Sequence, residues 1–180
     1  MNPMFKNATI VAGTAVAFLA FYYLNHFLFS SLEFSQQANW IFLPSGLRFL
    51  IVLIFAEYGA LGIAIGTFLI DFNYFRLDDL TLVGSALIHG ISPLLSRWIC
   101  IKTFDLEINL RHISAIMLLK MTLVFALVSP VLHQSWYAFR GYSLDFVKDT
   151  LVMGIGDILG VLIVLYVATL VIKLVDFFKS

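Results

Sequence analysis

The sequence predicts an all-α polytopic membrane protein: one integral-membrane domain over residues 1–180, with about six transmembrane helices and both termini cytoplasmic. Three observations predict it. Of the 180 residues, 61% are hydrophobic and 12% charged, against about 45–50% and about 25% in soluble domains. A mean hydropathy of +0.97 leaves too little polar surface to clothe a soluble globule. Six apolar runs follow one another, and at about 20 residues per crossing they consume about 120 residues. The remainder, spread over loops and tails, is too thin for a separate catalytic domain or nucleic-acid module. Eleven Lys+Arg cancel eleven Asp+Glu, so no polybasic tract points to nucleic acid as a partner. Cys100, the sole cysteine, excludes an internal disulfide and a cysteine-based metal site.

The first run covers about residues 7–31. It is too long for the apolar region of a signal peptide and no small-residue cleavage site follows, so it reads as an uncleaved span. The second, 40–56, contains Leu43-Pro44-Ser45-Gly46 near its top. Pro44 and Gly46 either interrupt the helix beside Arg48, as at membrane cavities, or simply start it, since proline fits a first turn. A tight turn at Glu57-Tyr58-Gly59 leads to the third run, 58–74. These two runs each reach about 25 Å as helix, enough for a locally thin bilayer; the alternative is one helix plus a re-entrant piece. The fourth, fifth and sixth runs are 80–101, 112–132 and 151–175. Gly62 and Gly66, like Gly156 and Gly160, are four residues apart, the spacing that lets membrane helices approach closely.

Loop cations set the orientation. With six spans, one side collects Lys6, Arg97, Lys102, Arg111, Lys173 and Lys179, and the other Arg76, Arg140 and Lys148. The first side is therefore cytoplasmic. The longest loop, 133–150, faces outward and begins with Trp136 and Tyr137, read as interfacial aromatics.

Ionisable groups inside apolar spans are costly and mark function by default. Counted at 1.5 Å per residue, Arg48 lies roughly 12 Å below the outer surface, Asp157 roughly 9 Å, His89 roughly 13 Å and Lys120 roughly 18 Å. Asp71 sits a turn below the outer end of its span. The five are expected to meet in an outward-opening polar cup, with Arg48 paired to Asp157 or Asp71. The competing expectation is that such pairs only pin helices together, and that Lys120 snorkels inward. His89 is also a candidate proton relay or metal ligand. His26, His112 and His133 fall near span ends and read as interfacial, which leaves no second histidine at the depth of His89 for haem. No cofactor or metal is expected.

Two blocks carry a resemblance. Trp40-Ile-Phe-Leu-Pro44-Ser-Gly46-Leu-Arg48, with Tyr58-Gly-Ala-Leu-Gly62-Ile-Ala-Ile-Gly66 after it, resembles the opening of the MASE1 family. Gly156-Asp157-Ile-Leu-Gly160-Val-Leu is similar to that family's last-helix signature. MASE1 domains are integral-membrane sensors usually fused to a histidine kinase, diguanylate cyclase or phosphodiesterase. The resemblance implies a stand-alone, non-enzymatic sensory or accessory module that binds a small ligand or a membrane partner and signals through a separate protein. MASE1 also resembles six-helix vitamin-uptake subunits, so a substrate-binding importer subunit is the alternative, and a structural subunit of a larger complex a third. No Ser–His, Asp–Asp or metal constellation of an intramembrane protease is recognisable, so no enzymatic activity is expected.

Overall fold

The computed structural model describes residues 3–179 apart from 36, 37, 76, 109, 111 and 112. Arg76, Arg111 and His112, assigned above to loops and a span end, lie outside the described residues, as does the side chain of Lys179. The chain is an all-α bundle of five helices: α1 Pro3–Phe29, α2 Leu43–Tyr74, α3 Asp79–Thr103, α4 Ala115–Phe139 and α5 Phe146–Lys179. All five are long and apolar enough to cross a membrane. A two-stranded antiparallel hairpin, β1 Glu33–Ser35 with β2 Ala38–Asn39, follows a 3-10 turn at Ser30–Leu32.

The long helix α2 is bent back on itself. Ala56 has φ 45° and ψ −119°, outside the helical region and uncommon for a residue with a Cβ. Residues 51 and 59 would be about 12 Å apart along a straight helix. Here a Cβ on Gly59 would approach the Ile51 carbonyl oxygen to 3.0 Å. The two limbs therefore run antiparallel. Consistently, the Leu43 N–H donates to Asn25 Oδ1 at 2.8 Å, while Tyr74 Oη meets His26 Nε2 at 3.1 Å. Both ends of α2 thus lie beside the C-terminal end of α1. The reversal falls at Ala56, one residue before the tight turn the sequence places at Glu57-Tyr58-Gly59.

The end of the bundle carrying the β hairpin is called upper. The upper ends of α3 and α4 meet where Arg140 Nη2 contacts Asp78 Oδ1 at 2.9 Å. The second limb of α2 packs on α1, where Gly62 faces Val11 and Thr14, and Gly66 faces Ala15 and Phe18. Helices α2 to α5 close on one another through α2–α3, α3–α4, α4–α5 and α2–α5 contacts. Two apolar clusters fill the interior. One joins Phe18, Val52, Ile63 and Ile70; the other joins Phe49, Met121, Phe125 and Val161. Outside, large apolar side chains such as Phe27, Leu127 and Phe177 stand exposed, the lipid-facing pattern of a bundle whose solvent is hydrocarbon.

Among the helix limits that differ from the sequence expectation, three bear on the site. The second span begins at Leu43 rather than 40, with Pro44 in the first turn. Pro44 and Gly46 therefore start the helix and do not break it beside a cavity. Helix α4 runs to Phe139, not 132. The polar His133-Gln134 pair, which looked like an exit from the membrane, is buried instead. Trp136 and Tyr137 accordingly belong to α4, and Tyr137 is buried. Helix α5 begins at Phe146 rather than 151.

Candidate functional site

Glycines build the first layer of the site. A Cβ on Gly160 would collide with the Phe42 carbonyl oxygen, and one on Gly156 with that of Asn39. A Cβ on Gly46 would come within 2.5 Å of the Gly160 carbonyl oxygen and 2.7 Å of Val164. The start of α2 is thus pressed backbone to backbone against α5, as small residues permit in membranes. Ser45 Oγ spans the crossing, donating to the Phe42 carbonyl at 2.6 Å and standing 3.2 Å from that of Asp157. Three residues on from Ser45, Arg48 meets Asp157: Nη2 to Oδ1 is 3.3 Å, with both side chains at 0% exposure.

The Arg48 guanidinium also lies 5.7 Å from the Phe42 ring centroid and 5.4 Å from that of Phe125, which suits a cation withdrawn from water. Arg48 Nε and Nη1 and Asp157 Oδ2 have no hydrogen-bond partner. A single long contact between fully buried charges serves as a pin more than as a source of net stability.

A second layer joins α3 to α4. His89 Nδ1 and His133 Nε2 are 3.0 Å apart, with ring centroids 4.2 Å apart. Each Nδ1 also faces the carbonyl four residues earlier, Ser85 at 3.0 Å for His89 and Ser129 at 2.7 Å for His133. A carbonyl only accepts, so His133 Nδ1 carries a proton and its Nε2 accepts from the His89 Nδ1–H. The chain of contacts makes His133 neutral and uses both its ring nitrogens, leaving no lone pair for a metal. The second histidine at the depth of His89, missing from the sequence expectation, is thus His133 itself, and it serves as a hydrogen-bond partner. Among the described residues no group of three His, Cys, Asp or Glu is placed to hold a metal ion. Above the pair, Ser85 Oγ and Tyr137 Oη are 2.9 Å apart, and the Asp71 carboxylate faces the Ser85 hydroxyl.

Asp71 and His89 line a cavity of about 60 Å³ near the upper end, with Thr67, Tyr137, Tyr22 and Phe18 around them. Glu33, His26 and Asn39 stand at its upper side. At about 10–15 Å³ per water on this measure, it holds some four waters or one small molecule. Asp71 is 5% exposed and Thr67 2%, and Asp71 Oδ2 and Thr67 Oγ1 both lack a partner.

The five groups expected in one cup are therefore divided. Asp71 and His89 line the cavity, whereas Arg48 and Asp157 form a sealed pair that is not among its lining residues. Lys120 joins neither. It is exposed, five residues from the start of α4, with Nζ 5.7 Å from the Phe104 ring centroid. Its depth was counted from 132 as the outer helix end; because α4 continues to Phe139, Lys120 belongs near the lower end. Of the glycines, Gly46, Gly156 and Gly160 form the crossing that carries the ion pair, and Gly62 and Gly66 seat α1.

The loops over the cavity are tied by charge. Asp78 caps α3, accepting from the Thr81 N–H at 3.1 Å, and also binds Arg140 and Tyr142. The Thr81 hydroxyl, foremost among these donors, holds the Asp78 carboxyl well below the usual carboxylate range. Asp149 accepts from Ser35 Oγ at 3.0 Å and Ser143 Oγ at 2.8 Å, joining the β hairpin to the start of α5. Burial pushes the Glu33 carboxyl up, with His26 opposing. Thr67, His133 and Tyr137 were not singled out as site residues from sequence. Their signal is spacing: Ser129, His133 and Tyr137, like Ser85 and His89, recur every four residues and so share one helix face.

No family model matches the chain, and neither a curated protein nor a solved structure does.

Proposed function

We propose that this chain is a non-enzymatic sensory or accessory module of a bacterial inner membrane that binds a small ligand from outside and signals through a separate protein. The observation that carries the reading is the cavity near the upper end, where buried Asp71 and Thr67 present oxygen atoms that the protein leaves unpartnered. Native structures rarely leave such groups bare, and within a membrane they are functional by default. The MASE1-like blocks support the sensory role, and they fall on the α2–α5 crossing and the α2–α1 contact.

Counting the limbs of α2 separately gives six crossings and puts both termini at the lower end. Lys6, Arg97, Lys102, Lys120 and Lys173 then belong to the lower half, against Arg140 and Lys148 above. The excess makes the lower side cytoplasmic and the cavity outward-facing. Ligand binding changes the output only if the ligand has different affinity for two helix arrangements. The glycine-lined crossing of α2 and α5 is the contact we assign to that difference.

Gentle purification from native membranes, with mass spectrometry of the co-purifying chains and small molecules, tests this reading. The expected companion is a kinase, cyclase or other signalling protein. Recovery of an ATPase with a stoichiometric small molecule would replace the sensor with an importer subunit. A large assembly whose formation alone fails in Arg48→Gln would make the chain a structural subunit.

A further inference from the structure

We propose that the cavity takes a small organic cation, a protonated amine of a few heavy atoms, with the Asp71 carboxylate as its anchor; this rests on the cavity being the ligand site. Asn25 Oδ1 is used by the Leu43 N–H, and His89 Nδ1 is used by Ser85 and His133. Asp71 Oδ2 and the Thr67 hydroxyl, on residues that line the cavity, are left without a partner. Among the described residues, no Lys or Arg lines the cavity. The nearby buried cation, Arg48, is already paired with Asp157.

A buried carboxylate without a counter-charge is expensive, and a cationic guest would relieve it. The walls suit the same guest. Phe18, Tyr22, Phe42, Phe75 and Tyr137 line the cavity, and aromatic faces attract ammonium groups, most strongly away from water. Tyr22 and Phe75 are held edge to face, with ring centroids 6.4 Å apart, so part of this wall is fixed before any guest arrives. Glu33 places a second carboxyl on the upper side, where negative charge raises the local concentration of cations. A carboxylate ligand or inorganic phosphate would meet these same groups as repulsion. With room for about four waters, the cavity suits a small guest such as ethylammonium.

The test uses the full chain in detergent with Thr67→Cys in a Cys100→Ala background. The introduced thiol is treated with aminoethyl, sulfonatoethyl and methyl methanethiosulfonate, a cation, an anion and a neutral reagent. Each rate is divided by that reagent's rate on a free thiol. The cationic reagent is expected to exceed the anionic one by about ten-fold or more, from the field of one nearby carboxylate. Asp71→Asn should bring the ratio back towards one. Without any change at Asp71, ethylammonium chloride should slow the neutral reagent while sodium acetate at equal concentration does not.

Equal cation and anion rates, or equal protection by ethylammonium and acetate, would overturn the cationic guest while leaving the cavity as a ligand site. Failure of even the neutral reagent to reach residue 67 would overturn the ligand site itself.

Discussion

Arg48→Ala is expected to lower stability by about 3–5 kcal/mol, because it strands Asp157 as an uncompensated buried charge. Asp157→Ala should cost a similar amount by stranding Arg48. Both side chains are fully buried at 3.3 Å, so water cannot take over the lost partner. Arg140, whose side chain is 26% exposed in its contact with Asp78, provides the contrast: Arg140→Ala should cost far less. The decisive comparison is a cycle of four proteins: the parent, Arg48→Gln, Asp157→Asn and the double variant that carries both. Removing both charges leaves nothing stranded, so its loss should fall well short of the sum of the two single losses. Unfolding in detergent micelles, followed by the folded fraction on size exclusion, measures all four proteins. Strict additivity would mean that the two charges do not sustain one another.

Gly160→Ala should be comparably damaging for a purely steric reason. The added methyl would occupy the position of the Phe42 carbonyl oxygen and lie 2.5 Å from Ser45 Oγ. The backbone cannot rotate aside as a side chain does, so α2 and α5 must separate. Overpacking typically costs about 1–3 kcal/mol, and the backbone obstacle places Gly160→Ala at the upper end, about 3 kcal/mol. Gly156→Ala meets Asn39 in the same way. Gly13→Ala is the control: nothing lies within 4 Å of its Cβ position, and replacing a mid-helix glycine with alanine favours the helix by up to about 1 kcal/mol. Thermal unfolding should rank the three with Gly13→Ala at or above the parent protein. Equal tolerance at positions 13 and 160 would contradict the close crossing.

The membrane bundle was legible in the sequence because the demand for apolar length is strict. That Arg48 pairs with an acid inside the spans was legible too, since opposite charges there cost least when they meet; the choice of Asp157 over Asp71 was not. The cavity was not. Thr67 and Asp71 share a helix face by spacing, but whether that face meets α1, α3 or lipid depends on packing that no local pattern states. The upper half of α4 was misread because His133 and Gln134 resemble a span's polar end. They are instead inward residues whose partners, His89 and Met153, lie 44 and 19 residues away. That misplaced end carried Lys120 towards the cup, although its own helix begins only at Ala115. Pro44 was ambiguous in sequence because a first turn and a break use the same residue.

The proposed outward ligand site depends on which side of the membrane the upper end faces, and cysteine labelling in intact cells settles that most directly. In a Cys100→Ala background, Leu144→Cys marks the exposed upper loop and Glu57→Cys the exposed turn beyond Ala56. A membrane-impermeant maleimide should label Leu144→Cys in intact cells and Glu57→Cys only after permeabilisation. Labelling of Glu57→Cys in intact cells, with Leu144→Cys protected, would invert the bundle and turn the Asp71 cavity towards the cytoplasm.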